Sequence, residues 1–360
     1  MPGAICLFSG MHKGIVSHGI CSTTTLQNIN HSFQMFYPRI AGVASYVPDD
    51  ILDNEMLSKM VDTSDEWITT RVGIKERRIL KKDAGSSYLG INAVNKLLES
   101  TSTNPEEVDL LICATSNPDY RFPSTGSVIA HGCGLNKAYA YDIQAACAGF
   151  LVALQDAAAY VRSGMYKKVI VVAAEKMSSM VNYADRTTCT LFGDGAACML
   201  IEPSEEKVGI IDGVFHVDGE GLPHLVMKGG GSAHPTTQQT LDEGWHYLYQ
   251  EGRAVYKHAV TDMLTSSIEV AERNGMNVSD VDWFIPHQAN LRIIEAVAER
   301  AGLGHDKVLV NIEHYGNTSA ASIPLCIDEY KDKLKKGDKI ILTAFGAGFT
   351  WGALYVIWDL

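Results

Sequence analysis

Several features that mark other protein classes are missing from this chain of 360 residues. No apolar run reaches the roughly 18–20 residues that a membrane-spanning helix needs. Basic residues are not in excess, since the formal net charge is −12, which argues against general affinity for nucleic acid. The eight cysteines include no C-x-x-C pair, and no G-x-x-x-x-G-K-S/T phosphate loop is present. We expect a cytoplasmic protein with reduced thiols that binds neither membranes nor nucleic acid.

The N-terminal segment, residues 1–34, differs from the rest of the chain. It is rich in Ser, Thr, His and Gly, and it lacks any hydrophobic periodicity. Its longest apolar stretch, residues 4–8, is too short for the core of a signal peptide, and no basic residue precedes it. The sequence predicts that residues 1–34 form a disordered extension, that Met35 is the natural beginning, and that function survives removal of the extension.

From Met35 onward the composition is that of a globular protein, and strand-like and helix-like segments alternate, which indicates an α/β fold. A long internal repeat adds to this pattern. Residues 105–115 and 278–287 each place a short polar turn before an apolar strand. We predict two pseudo-symmetric halves, residues 35–205 and residues 206–360. Chance similarity between two buried strand–helix–strand units is the alternative.

The repeat also predicts which side chains meet. Alignment of Lys168 with Lys339 superposes the apolar strands that follow these two lysines, and it puts Cys147 opposite Thr318 and next to Asn317. If both halves use the same junction, Cys147 and Asn317 lie together near a pseudo-twofold axis.

Cys147 is itself the strongest candidate nucleophile. It lies among small residues between a strand-like segment at residues 138–143 and a helical pattern that begins at Phe150. A helix N-terminus favours the thiolate form and offers backbone N–H groups that can bind an oxyanion. The alternative is a small buried cysteine that fills a gap in the core.

Two further segments add candidate side chains at strand ends. In residues 286–290 an apolar strand stops at proline and places His287 at its carboxyl edge, where open α/β sheets bind ligands. In residues 315–322 a glycine-containing turn exposes Asn317 before a helix. Taken singly, His287 could cap a helix or satisfy a buried carbonyl, and Asn317 could form an Asx turn or an N-cap. Together with Cys147 they predict a nucleophile, a base and a carbonyl-polarising group.

Residues 36–360 resemble the β-ketoacyl-acyl carrier protein synthase III family, the initiating condensing enzymes of bacterial fatty-acid synthesis in the thiolase superfamily. Five segments carry the resemblance in order along the chain, and they lie at residues 65–74, 145–150, 192–196, 286–290 and 316–322. The resemblance implies a thiolase-like fold, with the two halves in a five-layered αβαβα arrangement.

The resemblance also implies a reaction. Cys147 takes the acyl group of a primer acyl-CoA, malonyl-acyl carrier protein then loses carbon dioxide, and its enolate attacks the acyl-cysteine to give a 3-oxoacyl product. His287 and Asn317 stabilise the enolate, and the backbone N–H groups of Cys147 and Ala347 form a second oxyanion hole. Relatives often have glycine in place of Ala347, so its φ must lie in a region open to L-residues. No metal or cofactor is expected.

Binding residues follow by the same resemblance. Trp67, Arg71 and Arg186 match contacts to the nucleotide end of coenzyme A, where an indole and a guanidinium can hold a flat adenine. Asn290 is expected near the pantetheine arm. Phe122 matches a phenylalanine that reaches across a homodimer into the partner's acyl pocket. Without the resemblance, Trp67 would be read as a core residue of a helix face.

Docking of the acidic carrier protein calls for local positive charge on an acidic enzyme. Lys257, Arg292 and Arg300 are expected to supply it, although Glu299 stands where relatives often have a second basic residue. Charge pairs on a solvated helix face are the alternative.

Three rival functions remain open at this stage. One is a cysteine thioesterase or hydrolase that uses Cys147, His287 and Asn317, and another is a catalytically silent acyl-binding protein of the same fold. The third is a related condensing enzyme of secondary metabolism. The sequence does not separate an acetyl primer from a short branched one, because one methylene in such a pocket is worth only about 1–3 kcal/mol.

Overall fold

The computed structural model describes residues 36–360, so the extension predicted for residues 1–34 lies outside the described residues. The strands of the described part are β1 Tyr37–Tyr46, β2 Ile51–Asp53, β3 Glu76–Arg78, β4 Leu110–Ala114, β5 Tyr139–Ile143, β6 Val169–Lys176, β7 Asp194–Ser204, β8 Gly209–Val217, β9 Leu225–Met227, β10 Leu248–Gln250, β11 Trp283–Pro286, β12 Lys339–Gly346 and β13 Thr350–Ile357.

The α-helices of the same part are α1 Asn54–Ser58, α2 Asp65–Val72, α3 Ser86–Ser100, α4 Thr125–Gly132, α5 Gly149–Arg162, α6 Arg186–Cys189, α7 Gln238–Asp242, α8 Gly252–Arg273, α9 Leu291–Arg300, α10 Ile312–Tyr315 and α11 Ser322–Tyr330. None of the helices between residues 36 and 360 is both long and apolar enough to cross a bilayer.

Two sheets form the framework. The first has the strand order β1-β7-β6-β4-β5, in which β4 runs parallel to both β5 and β6. The second has the order β11-β12-β13-β8, in which β11 and β12 are parallel. Every strand of the first sheet ends before residue 205 and every strand of the second begins after residue 208. The predicted boundary between residues 205 and 206 therefore lies in the turn between the two sheets.

Alternate residues of each strand face different layers, as the pleat requires. In β4, Leu110 and Ile112 face a central layer that contains α5 and α11, while Leu111 and Cys113 face α3 and α4. In the second sheet, Ile340 of β12 faces the central layer. The opposite face of this sheet packs against α8 and α9. The order is helices, sheet, helices, sheet, helices, so the predicted five-layered arrangement is confirmed. Strand β6 is almost wholly apolar because both of its faces are covered.

The internal repeat is present, but its spacing at the helix starts differs from its spacing at the strands. Two 3-10 helices, Ala146–Ala148 and Ser319–Ala321, lead directly into α5 and α11. Alignment of these two helices places Cys147 opposite Ala320 and not, as the alignment of the strands predicts, opposite Thr318. The two alignments disagree because helix α5 is longer than helix α11, so that Gly149 to Lys168 spans 20 residues whereas Ser322 to Lys339 spans 18.

Candidate active site

A cavity of about 1410 Å³ is lined by loops that follow strands of both sheets, by Phe345 and Thr350 of the second sheet, and by residues of helices α2, α8 and α9. Cys147, His287, Asn317 and Ala347 all border it, although they come from widely separated parts of the chain. The fold therefore brings to one cavity the four residues predicted to handle the reacting groups.

Cys147 lies at the strand-to-helix junction that the sequence predicts. The 3-10 helix Ala146–Ala148 joins β5 to α5, and Ala146 has a φ of +46°, which turns the chain sharply at this point. The junction is closely packed against β12. A Cβ atom added to Gly346 would lie 2.7 Å from the backbone nitrogen of Cys147. Glycine is thus required where the last residue of β12 approaches the nucleophile's backbone.

The Cys147 side chain is half-buried at the edge of the cavity. Ser319 Oγ lies 3.6 Å from its Sγ, within the hydrogen-bonding range of sulfur. Burial raises the pKa of the thiol to about 12, the hydrogen bond from Ser319 opposes that rise, and the nearby charge of Glu175 adds to it. Burial therefore opposes the helix terminus, which the sequence analysis expects to favour the thiolate. The thiol must pass its proton to another group when it reacts.

His287 follows strand β11 at the carboxyl edge of the second sheet. Its backbone N–H donates to the carbonyl of Thr343 in β12 at 2.8 Å, which continues the parallel pairing. Its ring Nδ1 lies 2.7 Å from Ser322 Oγ, at the start of α11. Burial lowers the pKa of His287 to about 3, so the imidazole is neutral at physiological pH. A neutral ring can donate a hydrogen bond without placing a charge beside Cys147.

Asn317 is held from both sides by its own backbone. Its N–H donates to the carbonyl of Leu191 at 2.9 Å, and its carbonyl accepts from Gly193 at 3.1 Å. Its side-chain Oδ1 accepts the backbone N–H of Ser319 at 2.8 Å. With the oxygen engaged in this way, the amide NH₂ group is the part of the side chain left to donate to a ligand.

Ala347 borders the cavity in the turn between β12 and β13. Within residues 36–360, the non-glycine residues with positive φ are Ser102, Ala146 and Ser319. Ala347 is not among them, so its backbone lies in a region open to L-residues, as the sequence requires.

Trp67, predicted for the nucleotide end of coenzyme A, is a half-buried residue of α2 that borders the cavity; the part of the lining that contains Trp67 and the exposed Arg71 and Arg292 is here called the mouth. The guanidinium carbons of Arg71 and Arg186 lie 5.1 Å and 5.2 Å from the centre of its ring. Arg71 borders the cavity, whereas Arg186 is not part of the lining. A hydrogen bond to the carbonyl of Asp62 at 3.0 Å holds Arg186 near the Trp67 ring. The ring is half-buried, packs against the buried cluster that contains Ile68, and also has two cations near it, so Trp67 lies at the edge of the core and not inside it.

The remaining predicted binding residues are distributed unevenly around the cavity. Asn290 borders it and caps α9 by accepting the N–H of Arg292 at 2.9 Å, and Arg292 borders it as well. Lys257 is exposed on α8 outside the lining, one residue after Tyr256, whose ring lies 5.8 Å from the Arg292 guanidinium. Arg300 ends α9 beside a separate small pocket, so the structure does not bring it to the cavity.

Phe122 does not line the cavity of its own chain. Its side chain is 85% exposed, an unusual state for a large apolar residue.

Three buried polar residues near the site escaped the sequence-based prediction. Ser319 contacts Cys147, Ser322 contacts His287, and Glu175 lies near Cys147 at the end of β6. A signal for Glu175 does exist, because a carboxylate at the carboxyl end of an otherwise apolar buried strand faces the edge where ligands bind.

Comparison with known proteins identifies the family to which these features belong. The sequence profile of the family described as 3-Oxoacyl-[acyl-carrier-protein (ACP)] synthase III matches residues 141–219. The profile of that family's C-terminal part matches residues 271–358. The two matches contain Cys147, His287 and Asn317.

Whole-length relatives agree with the profiles. The chain is 58% identical over 320 residues to a β-ketoacyl-[acyl-carrier-protein] synthase III of Bacteroides thetaiotaomicron, which covers 89% of this chain and 96% of the relative. It is 55% identical over 320 residues to the enzyme of the same name from Porphyromonas gingivalis, with the same coverage. The crystal structure of 3-oxoacyl-[acyl-carrier-protein] synthase III from Aquifex aeolicus matches with a TM-score of 0.82 at 42% identity, over 89% of this chain and 100% of that one.

Proposed function

The chain belongs to the 3-oxoacyl-[acyl-carrier-protein] synthase III family and is an initiating condensing enzyme, and we propose that Cys147, His287 and Asn317 divide its reaction between them. Its substrates are a primer acyl-CoA and malonyl-acyl carrier protein. The observation that carries this assignment is the meeting of all three side chains at one cavity, together with the backbone of Ala347.

The first half-reaction transfers the acyl group to the enzyme. Cys147 Sγ attacks the thioester carbonyl, the carbon–sulfur bond to coenzyme A breaks, and an acyl-cysteine remains. The negative charge that develops on the carbonyl oxygen is bound by the backbone N–H groups of Cys147 and Ala347. The close approach of Gly346 to the nitrogen of Cys147 supports this pairing.

The second half-reaction makes the new carbon–carbon bond. Loss of carbon dioxide from the malonyl group leaves an enolate, whose oxygen accepts hydrogen bonds from His287 Nε2 and from the Asn317 amide. Ser322 accepts the N–H of Gln288 at 3.3 Å and can give its own proton to His287 Nδ1, which leaves the ring proton on Nε2. The low pKa of His287 suits this role, because the ring stays neutral and donates a hydrogen bond to the enolate without transferring a proton to it.

Coenzyme A enters, in this proposal, past the mouth of the cavity. Trp67 stacks on the adenine, while Arg71 and Arg186 pair with phosphates or cover the base. Asn290 contacts the pantetheine arm. The volume of about 1410 Å³ is large enough to receive that arm.

The carrier protein docks on the basic residues near the same mouth. Within the described residues, neither Lys257 nor Arg292 forms an ion pair, so both are available to an acidic partner. Arg300 remains a predicted contact of lesser weight, because it lies about 12 Å along α9 from Arg292. Glu299 beside it opposes an acidic partner.

We infer a homodimer from the exposed edge of the first sheet. Within residues 36–360, strand β5 is the last strand of that sheet and has no neighbour on its outer side, and Tyr139 on it is 60% exposed. The exposed ring of Phe122 fits a role in the acyl pocket of a partner subunit.

The two halves, residues 35–205 and 206–360, act as one catalytic unit, since each supplies part of the site. The cytoplasm is the proposed compartment, because the six cysteines within the described residues are unpaired thiols.

One assay separates synthase from hydrolase. The protein is incubated with labelled acetyl-CoA and malonyl-acyl carrier protein, and 3-oxobutyryl-carrier protein and carbon dioxide are measured. We expect both products in equal amounts. Release of free acetate without condensation would identify a hydrolase and overturn the assignment. A competition among acetyl-, isobutyryl- and isovaleryl-CoA then identifies the primer.

A further inference from the structure

Glu175 is a fully buried carboxylate close to the nucleophile, and the two half-reactions described above do not use it. It lies near the end of β6 with an exposure of 0%. The backbone N–H of Ser116 donates to both of its oxygens at 3.0 Å, and Thr115 Oγ1 lies 3.5 Å from Oε2. A charged group is costly to bury, so this one needs a reason for its position.

Two hydroxyl groups connect Glu175 to Cys147. Ser116 Oγ lies 3.1 Å from Glu175 Oε1 and 3.3 Å from Ser319 Oγ, and either serine can be the donor between the two hydroxyls. Ser319 Oγ in turn lies 3.6 Å from Cys147 Sγ. Sulfur, two hydroxyl oxygens and a carboxylate oxygen thus form a continuous row.

The row is held rigidly by backbone contacts. Ser319 has a φ of +51° and donates its N–H to Asn317 Oδ1 at 2.8 Å. Glu175 also accepts the N–H of Ala320, the next residue. The loop that carries Ser319 is therefore tied both to Asn317 and to the carboxylate itself.

The other titratable groups near the row are poor proton acceptors. His287 has a pKa near 3, so it holds a second proton weakly. Burial raises the pKa of Cys113 on β4 well above its usual value, so this thiol stays protonated and cannot take a further proton. All hydrogen-bond partners of Glu175 in the described structure are neutral. Burial raises the pKa of Glu175 to about 7, which suits an acceptor that works near neutral pH.

We propose that Glu175 accepts the proton of the Cys147 thiol through the hydroxyl groups of Ser319 and Ser116. Cys147 Sγ–H gives its proton to Ser319 Oγ, Ser319 gives its own proton to Ser116 Oγ, and Ser116 gives its own to Glu175 Oε1. The thiol becomes a thiolate and the carboxylate becomes a carboxylic acid. The reverse transfer restores the thiol when the product leaves Cys147.

This transfer adds no charge to the buried site, since one negative charge is present before and after it. Each serine carries a single hydroxyl proton. Before the transfer both hydroxyl groups donate toward Glu175, and after it both donate toward Cys147. The proposal rests on the role of Cys147 as nucleophile in the proposed function, but it is tested without the synthase substrates.

The test follows alkylation of Cys147 by iodoacetamide between pH 5.5 and 9.5, with peptide mass spectrometry to resolve Cys147 from the other cysteines. In the unmodified protein we expect the rate to rise with an inflection near pH 7, as Glu175 becomes able to accept a proton. Glu175→Gln and Ser116→Ala should each lose this inflection and react at least about 10-fold more slowly at pH 8. Glu175→Asp should keep an inflection. Glu202→Gln, a partly buried carboxylate outside the row on β7, should behave as the unmodified protein.

Ser116→Ala keeps the backbone N–H that binds Glu175, so it decides the question if Glu175→Gln does not fold. An inflection near pH 7 that persists in either folded variant would overturn the proposal. The condensation assay is scored separately: a protein that shows the Glu175-dependent inflection but does not condense would refute the proposed function and leave the relay intact.

Discussion

His287 Nδ1 and Ser322 Oγ lie 2.7 Å apart, which ties the ring at the end of β11 to the first residue of α11. The contact holds the ring at the edge of the cavity, and in the proposed mechanism Ser322 donates to Nδ1 so that the ring proton lies on Nε2. Ser322→Ala removes it. We expect the condensation rate to fall about 5- to 30-fold, as for loss of one hydrogen bond of about 1–2 kcal/mol. Acylation by acetyl-CoA should stay close to normal, and single-turnover measurements of the two steps check this. An equal loss in both steps would contradict the assignment of His287 to decarboxylation.

Asn317→Ala should separate the two half-reactions in a similar way. The acyl-enzyme should still form, because the first oxyanion hole is built from backbone groups, while decarboxylation should slow by about 100- to 1000-fold. Intact-protein mass spectrometry measures the acyl-enzyme, and release of labelled carbon dioxide measures the second step. Cys147→Ser is the companion variant and should abolish acyl transfer. If Asn317→Ala blocked acylation and left decarboxylation normal, Asn317 would belong to the first half-reaction instead of the second.

Gly346→Ala should impair the nucleophile's oxyanion hole. The added Cβ would lie 2.7 Å from the nitrogen of Cys147 and 3.2 Å from that of Ala148, so the 3-10 helix must shift. We expect acylation at least about 100-fold slower and a loss of about 1–3 kcal/mol of stability from overpacking. Gly219→Ala is the matched control, since no atom lies within 4 Å of its added Cβ. Normal acylation by Gly346→Ala would show that this N–H is not used.

The buried neutral state of His287 predicts a specific acid sensitivity. Its pKa is lowered to about 3 in the folded chain from an ordinary 6.5, so its contribution to stability is complete above pH 6.5 and is lost as pH falls toward 3. Between pH 7 and pH 4 the loss is about 3 kcal/mol, at about 1.4 kcal/mol per pH unit. His287→Gln should remove this part of the acid loss in urea unfolding curves. His305→Gln, at an exposed position, should retain it, and equal acid loss in both variants would contradict the prediction.

Charge reversal along α9 tests the carrier-docking surface. Arg292→Glu, at the cavity mouth, should raise the KM for malonyl-acyl carrier protein about 10-fold or more and weaken its dependence on salt. Arg300→Glu should change the KM less than about 3-fold, because it lies at the far end of the helix. Equal effects of the two variants would place the carrier across the whole helix instead of at the mouth.

The local patterns were sufficient to predict the fold class, and they also singled out Cys147 as the proposed nucleophile. Cys147 follows a strand and precedes a helix, and such junctions depend on residues adjacent in the chain. The alternation of strand-like and helix-like segments predicted the α/β class, and the family resemblance implied the five-layered arrangement. The repeat was visible too, although the alignment of the strands misplaced Cys147 relative to the second half, because that alignment does not show that helix α5 is longer than helix α11.

The protonation states were decided only by the tertiary structure. The sequence placed Cys147 at a helix terminus and so predicted a thiolate, yet burial by distant segments raises the pKa of that thiol to about 12. Burial likewise lowers the pKa of His287. Loss of water is a property of the packed layers and not of any short segment.

The row from Cys147 through Ser319 and Ser116 to Glu175 was equally beyond the sequence, since it joins three strand ends and one loop that are up to 203 positions apart. The sequence by itself determined the local setting of Cys147, the proposed nucleophile. Only the folded chain decided where the proton of that residue can go, because hydrogen bonds between distant segments exist only after the two sheets have packed together.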